Sequence, residues 1–546
     1  MKLTTFLNRS AVAAALLATS LAVQLPRTAS ASSFTINYGQ GSTVYSFVNV
    51  GTAPATVVAQ YFPPGGTTPD FTYTYNNVGV NTRTNVVLGN PDAPLPPNWV
   101  GSVVLSADQD VVAVAATDYN NKGTPGNGYG TEMVMYGAFN EGSTTLYAPQ
   151  LMRITGQNLS ASRMTIQNTT ASPATVYVTF YFGGTGTARP PITLAPYGSV
   201  TLRTNVITDI FPADWSGAAS AVITATQPIV GFAERHWDVV DQQQNWAAGY
   251  ALLSSADADT VLYSPAMFRN CVFGTCALAQ ANTFNAYSTL FIQNTTPNPN
   301  PITITVINRA TGLPLTNQIF QTLPPFGNYL MNPFNNDNNP NGPLNPLYAE
   351  MGGSFNGSAV ISASAPIVGV GFTFNPQATT VQNTAGGYKL IPPAGASSLV
   401  IGPRFARVCT SCADFTNIND FAQFGNAQII NVGNAPVTLT SIEFLKADGT
   451  TQFTINAGNQ ITYFLPGQSL TLQPGASIAI NTRTGGSLDR GNTGPSDFTS
   501  PKLNTIFGSN FNGSIRVTAP AGSQIKAIVT VTRQASRSDI YNAFNR

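Results

Sequence analysis

The residues of this chain that could do chemistry are few and grouped. Cys271 with Cys276 and Cys409 with Cys412 are its only cysteines, and His236 is its only histidine. The two cysteine pairs fall in corresponding loops, each directly after the opening strand of a repeated unit. Two local disulfides are expected, since the outside of a cell is oxidising. Closing so short a loop contributes roughly 2 kcal/mol by loop-closure entropy, felt mainly as a stiffened loop. A zinc site joining both pairs lacks a neighbouring imidazole. A redox Cys-x-x-Cys at Cys409 lacks a thioredoxin-like βαβ setting.

Glu234, His236 and Asp238 stand at i, i+2 and i+4 of one apolar-patterned segment. On a strand they share a face, so a site of one His and two carboxylates is geometrically conceivable. Beside Arg235 and Trp237 the triplet reads more simply as a solvated polar face, and neither a metal nor another cofactor is expected. The 332–345 stretch has Asp337 as its one carboxylate, too little anionic oxygen for calcium. Arg83, Arg203 and Arg483 recur in Arg-Thr contexts and are expected to bond loop carbonyls. Asn158, Asn168, Asn294, Asn356 and Asn512 match the glycosylation sequon, but their places at strand ends and Gly turns favour turn formation. There is no Gly-x-Ser-x-Gly elbow, no His-Glu-x-x-His and no phosphate-cradling Gly loop. Paired carboxylates would find no focus among 23 dispersed acids. The expectation is a protein that is not an enzyme.

These residues must be held by strands. An apolar strand ending at Asn occurs four times, closing at Asn49, Asn168, Asn294 and Asn431. A polar turn and an alternating strand follow each, such as 55–61 and 175–181, the period-two mark of one buried face. Leu194-Ala195-Pro196, Leu323-Pro324-Pro325 and Leu472-Gln473-Pro474 then announce another strand. The first copy lacks that signal. An aromatic-x-Gly element recurs at Trp99, Trp215, Phe355 and Phe511, and behind it a hairpin is predicted, turning at Gln227-Pro228 or Ala365-Pro366. Opening strands share Pro149 with Arg153, Pro265 with Arg269 and Pro403 with Arg407.

The fold class expected is all-β. Four tandem immunoglobulin-like or Greek-key β-sandwich domains, at 32–143, 144–259, 260–396 and 397–546, follow a signal peptide at 1–31. Lys2 and Arg9, the apolar 11–23 stretch and Ala29-Ser30-Ala31 carry the signal reading. Each domain is large enough to hold its own core, and short linkers suggest a semi-rigid rod. No later segment is long and apolar enough for a transmembrane helix.

The strand ending Gln-Asn-Thr-Thr, the Leu-x-Pro-x-Gly-Ser element, the aromatic-x-Gly-Ser motif and the Tyr-x-Pro opening together resemble tandem-repeat secreted surface proteins of filamentous, Chloroflexota-type bacteria. The resemblance spans nearly the whole mature chain. It implies an exported, cell-surface or extracellular β-protein and carries over no catalytic residues.

Composition agrees. Charged residues make up 9% of the chain and its net charge is +1, against about 25% charged in ordinary domains. That removes any electrostatic footprint for nucleic acid and leaves little self-repulsion. The expected role is a structural protein of a surface coat, sheath or filament, with itself or other surface proteins as partners. The alternative is an adhesin or carbohydrate-binding protein taking a glycan on Phe268, Phe273, Phe284 and Tyr287, which flank or occupy the long third-domain loop.

Overall fold

The computed structural model describes residues 40–120, 132–155, 158–207, 210–211, 215–239, 247–271, 276, 284–337, 342–376, 384–410, 412, 420–459, 469–486, 503, 506–533 and 537–546. The 1–31 segment read as a signal peptide, and Phe273, lie outside them. The protein is nearly all β. No helix among the described residues is long and apolar enough to cross a membrane.

Strand pairing falls into four successive blocks. The first holds β1 (Gln40–Asn49), β2 (Ala55–Phe62), β3 (Phe71–Val78), β4 (Arg83–Val87), β5 (Ser102–Ala107), β6 (Val111–Asn120) and β7 (Glu132–Gly137). The second holds β8 (Ser143–Ile154), β9 (Asn158–Asn168), β10 (Ala174–Phe182), β11 (Thr185–Ala188), β12 (Ile192–Leu194), β13 (Ser199–Arg203), β14 (Gly217–Val239), β15 (Ala247–Ala251) and β16 (Leu253–Ser254). The third holds β17 (Asp259–Cys271), β18 (Phe284–Asn294), β19 (Asn300–Asn308), β20 (Ile319–Leu323), β21 (Asn328–Met331), the short helix α1 (Pro346–Met351), β22 (Ser354–Asn375) and β23 (Thr384–Lys389). The fourth begins with β24 (Leu399–Cys409), β25 (Phe421–Asn431), β26 (Val437–Thr438), β27 (Ser441–Lys446), β28 (Thr451–Asn456) and β29 (Thr471–Leu472). It ends with β30 (Ser477–Asn481), β31 (Gly485–Gly486), β32 (Asn510–Thr518), β33 (Ile525–Arg533), β34 (Arg537–Asn542) and β35 (Phe544–Asn545).

The blocks share one pairing logic. In the second, the first half of β14 pairs with β10 and β8, and its second half with β9 and β15. β22 does the same with β19 and β17, then β18 and β23. The predicted hairpin is therefore corrected: its two arms never pair with each other. Pro228 and Pro366 sit where one long strand passes from one set of partners to the next. A residue without an amide hydrogen suits such a break in the ladder. The carbonyls of the two prolines accept from the Thr169 and Thr295 hydroxyls at 2.9 and 2.7 Å. In the first and fourth blocks the two halves are separate strands, β5 with β6 and β32 with β33, and again they take different partners.

The expected rod of independent cores is also corrected. β7 lies against β15 and β34, β15 against β23, and β23 against β34, so the last strands of the four blocks close on one another. The cores merge accordingly. Phe372 and Phe374 of the third block pack with Tyr250 and Trp237 of the second, at ring separations of 6.0 and 5.6 Å. Ile430, Ile528 and Ile540 of the fourth join Tyr388 and Leu390 of the third. Val114, Ala116, Met133 and Met135 of the first join Val529, Val531 and Phe405 of the fourth.

Candidate functional site

The recurring side chains are structural devices, and their geometry repeats. In each of the four strands ending in Asn, that side chain is wholly buried. Its Oδ1 accepts the amide two residues on, and its Nδ2 donates to the carbonyl four residues on. The second Nδ2 bond goes to the carbonyl of Val78, Ala195, Pro324 or Leu472, at 2.8 to 3.1 Å. One amide thus fixes two loops, and an apolar residue in its place would leave those backbone groups without their partner. Burial of Asn168 and Asn294 agrees with turn formation at those two sequons.

A second device was missed in the sequence. Tyr250, Tyr388 and Tyr541 lie in the last strands β15, β23 and β34, and each hydroxyl donates to the carbonyl just after the opening-strand Pro: Gln150, Ala266 and Arg404, at 2.6, 3.0 and 2.7 Å. The register of β8, β17 and β24 slips there, so the Tyr satisfies a carbonyl that the ladder leaves out. The recurring Gly249-Tyr250 and Gly387-Tyr388 pairs were the signal available. Buried Arg153, Arg269 and Arg407 likewise donate to the carbonyls of Trp215, Gly352 and Gly508. Arg83, expected to bond a loop carbonyl, donates instead to the Gly513 carbonyl at 2.9 Å, within strand β32 of the fourth block.

Where the four last strands meet, glycine permits contact of backbone on backbone. A Cβ on Gly387 would stand 2.4 Å from the Gly249 carbonyl oxygen, and one on Gly249 would stand 2.4 Å from Val134. Asp539 of β34, fully buried, accepts the amides of Met135 in β7, Gly387 in β23 and its own neighbour Ile540. Asn542 accepts from the Lys389 amide and donates to its carbonyl, at 2.9 and 2.8 Å. Two side chains of β34 thus occupy edge groups that would otherwise be buried without partners. Burial pushes the Asp539 carboxyl well above the usual range, against the pull of its three amides.

The Glu234–His236 face is not solvated, and that expectation is corrected. Glu234 and His236 are 6% and 0% exposed because the first block covers them. His236 Nε2 is 3.0 Å from Glu234 and Nδ1 is 3.3 Å from Glu132 of β7. The Tyr119 hydroxyl of β6 donates to Glu234 at 2.8 Å, and Arg163 of β9 bonds both Glu234 and Tyr119. Burial raises the Glu234 carboxyl, but Arg163 and His236 together outweigh it and hold it at about 2. The side chain of Asp238 lies outside the described residues. No group of three or more His, Cys, Asp or Glu placed to hold a metal occurs among the described residues. The cluster is a polar joint between the first two blocks.

Cys271 with Cys276, and Cys409 with Cys412, have their sulfurs at bonding distance, with Cα separations of 5.1 and 5.3 Å. Of the loop aromatics, Phe284 and Tyr287 are buried, Tyr287 stacked between Phe334 and Phe374 at 4.9 and 4.8 Å. Phe268 is half-buried with the Arg309 guanidinium 5.7 Å from its ring. Phe284 and Tyr287 present no ring face as a platform. In the 332–345 stretch, Asp337 accepts from the Asn332 amide at 2.8 Å and from the Tyr348 hydroxyl, so its oxygens serve the loop.

Charged side chains collect at the seams between blocks. Arg309 reaches Gln428 at 2.8 Å across the third seam, and burial brings its guanidinium down to about 10. Arg533 pairs with Asp118 at 2.6 Å across the seam that joins the last block to the first.

No family model matches the chain, and no curated protein matches it. Among solved structures, the crystal structure of Thermotoga maritima 1070 is 16% identical over 21% of this chain and 97% of that one, with a TM-score of 0.19. A likeness that weak carries no argument.

Proposed function

We propose that this chain is a non-enzymatic, extracellular structural protein of a bacterial surface coat, sheath or filament, acting through self-association. Its four pairing blocks are four tandem β-sandwich domains in the 32–143, 144–259, 260–396 and 397–546 ranges, exported by the 1–31 segment. The observation that carries the reading is where the charge goes. Arg83, Arg163 with Glu234, Arg309, and Arg533 with Asp118 are drawn into seams, in a chain with only 9% charged residues. What is left outside is weakly ionic, and such a surface associates readily. The one imidazole and the cysteines are taken up in a joint and in loops, which supports a structural role over catalysis. Phe284 and Tyr287 are buried, so the glycan reading loses two of the four rings it named.

The test is a concentration series of the mature protein, followed by sedimentation and electron microscopy. Ordered arrays or filaments are expected as concentration rises. A strict monomer at high concentration would rule the proposal out.

A further inference from the structure

Among the described residues some sheet edges are covered and others lie open. Those where the four last strands meet are covered, and their amides reach Asp539 and Asn542. The edges made by β3 and β20 are open. Among the described residues β3 pairs with β2 alone and β20 with β19 alone. Along each, three successive residues are exposed, 72–74 in β3 and 320–322 in β20. Tyr73 is 36% exposed and Phe320 is 70% exposed.

Natural edges are usually guarded by a charge, a proline or a bulge that turns the strand away. Neither Phe-Thr-Tyr-Thr-Tyr-Asn-Asn-Val nor Ile-Phe-Gln-Thr-Leu contains a charged residue or a proline. The bulge in the β2–β3 pair lies at the Ala55 end, away from 72–74. β3 follows β2 as β20 follows β19, a position that β11 and β28 hold in the second and fourth blocks. β11 is only Thr-Gly-Thr-Ala, and β28 is exposed only at its two end residues, so β3 and β20 are the edges with an exposed large ring. The first and third blocks are not neighbours in the closed order of last strands, so the two edges belong to non-adjacent blocks.

We infer that β3 and β20 are strand-addition sites for a second copy of this chain. The occupant is another copy because an uncharged edge is a template for a like edge. A net charge of +1 also opposes such contact only weakly. Two such edges on non-adjacent blocks let each copy take two neighbours, which extends a row of molecules and does not close a dimer. This deepens the self-association proposed above and rests on it.

The experiment uses the mature chain and three variants. Thr74→Lys and Gln321→Lys put a charge on an exposed edge position without touching the core. Val206→Lys removes an exposed apolar residue, 51% exposed and outside any strand, as the control. Melting curves establish that all are folded. Light scattering is expected to show the onset of assembly moved to at least about tenfold higher concentration in both edge variants, with Val206→Lys unchanged. If the wild type assembles and the edge variants assemble equally well, the edge inference fails and the coat reading stands. If the wild type never assembles, both fall.

Discussion

At the scale of single residues, buried polar groups do most of the specifying. The four Asn side chains and the three Tyr hydroxyls each satisfy backbone groups that irregular loops would leave unpaired, at a cost of about 1–3 kcal/mol apiece if lost. Glu234 gives this a pH signature. Its carboxyl is held at about 2 from an ordinary value of 4.5, so the fold favours the ionised form. That stabilisation is complete above pH 4.5 and is lost as pH falls toward 2. Asp539 acts in the opposite sense: its carboxyl is raised, so ionisation weighs on the fold as pH climbs above 3.8. Glu234 is the smallest of the influences on Asp539, so comparing wild type with Glu234→Gln cancels most of the Asp539 contribution. The gap in melting temperature is expected to be wide at pH 6 and to narrow steadily below 4.5. A gap that does not change with pH would show that Glu234 is not held by Arg163 and His236. The repeated Asn was legible in the sequence because it falls at the same point of four copies. The burial of Glu234 was not, since Tyr119 and Glu132 come from another block and nothing local distinguishes a covered polar face from a wet one.

At the scale of elements, alternation and turn residues located most strands, and the two cysteine pairs stand at bonding distance at the ends of the opening strands. The Pro-centred segment behind each aromatic-x-Gly motif misled, because a proline flanked by alternating runs signals a turn as readily as a strand changing partners. The meeting of the last strands was equally hidden: Gly249 and Gly387 read as ordinary strand glycines until another backbone is seen against them. This closeness is testable. Gly387→Ala sets a methyl against the fixed Gly249 carbonyl and is expected to destabilise by about 1–3 kcal/mol or more, as overpacking does. Denaturant unfolding measures it, with Ala248→Gly as a companion that adds no bulk. An unchanged midpoint in Gly387→Ala would mean the strands are not in backbone contact.

At the scale of the whole molecule, four similar units do not behave as beads. Each seam shares apolar core between neighbours, and the last seam joins the fourth block to the first without a covalent link. The repeats coincide with four blocks of strand pairing; the closure had no sequence signal, since short linkers are as compatible with a rod as with a closed arrangement. Small-angle X-ray scattering of the dilute mature chain tests this most directly. The closed arrangement should give a radius of gyration of roughly 24 Å, the value for a compact chain of this length. A value approaching twice that, with the long maximum dimension of end-to-end domains, would contradict the closure of the fourth block on the first.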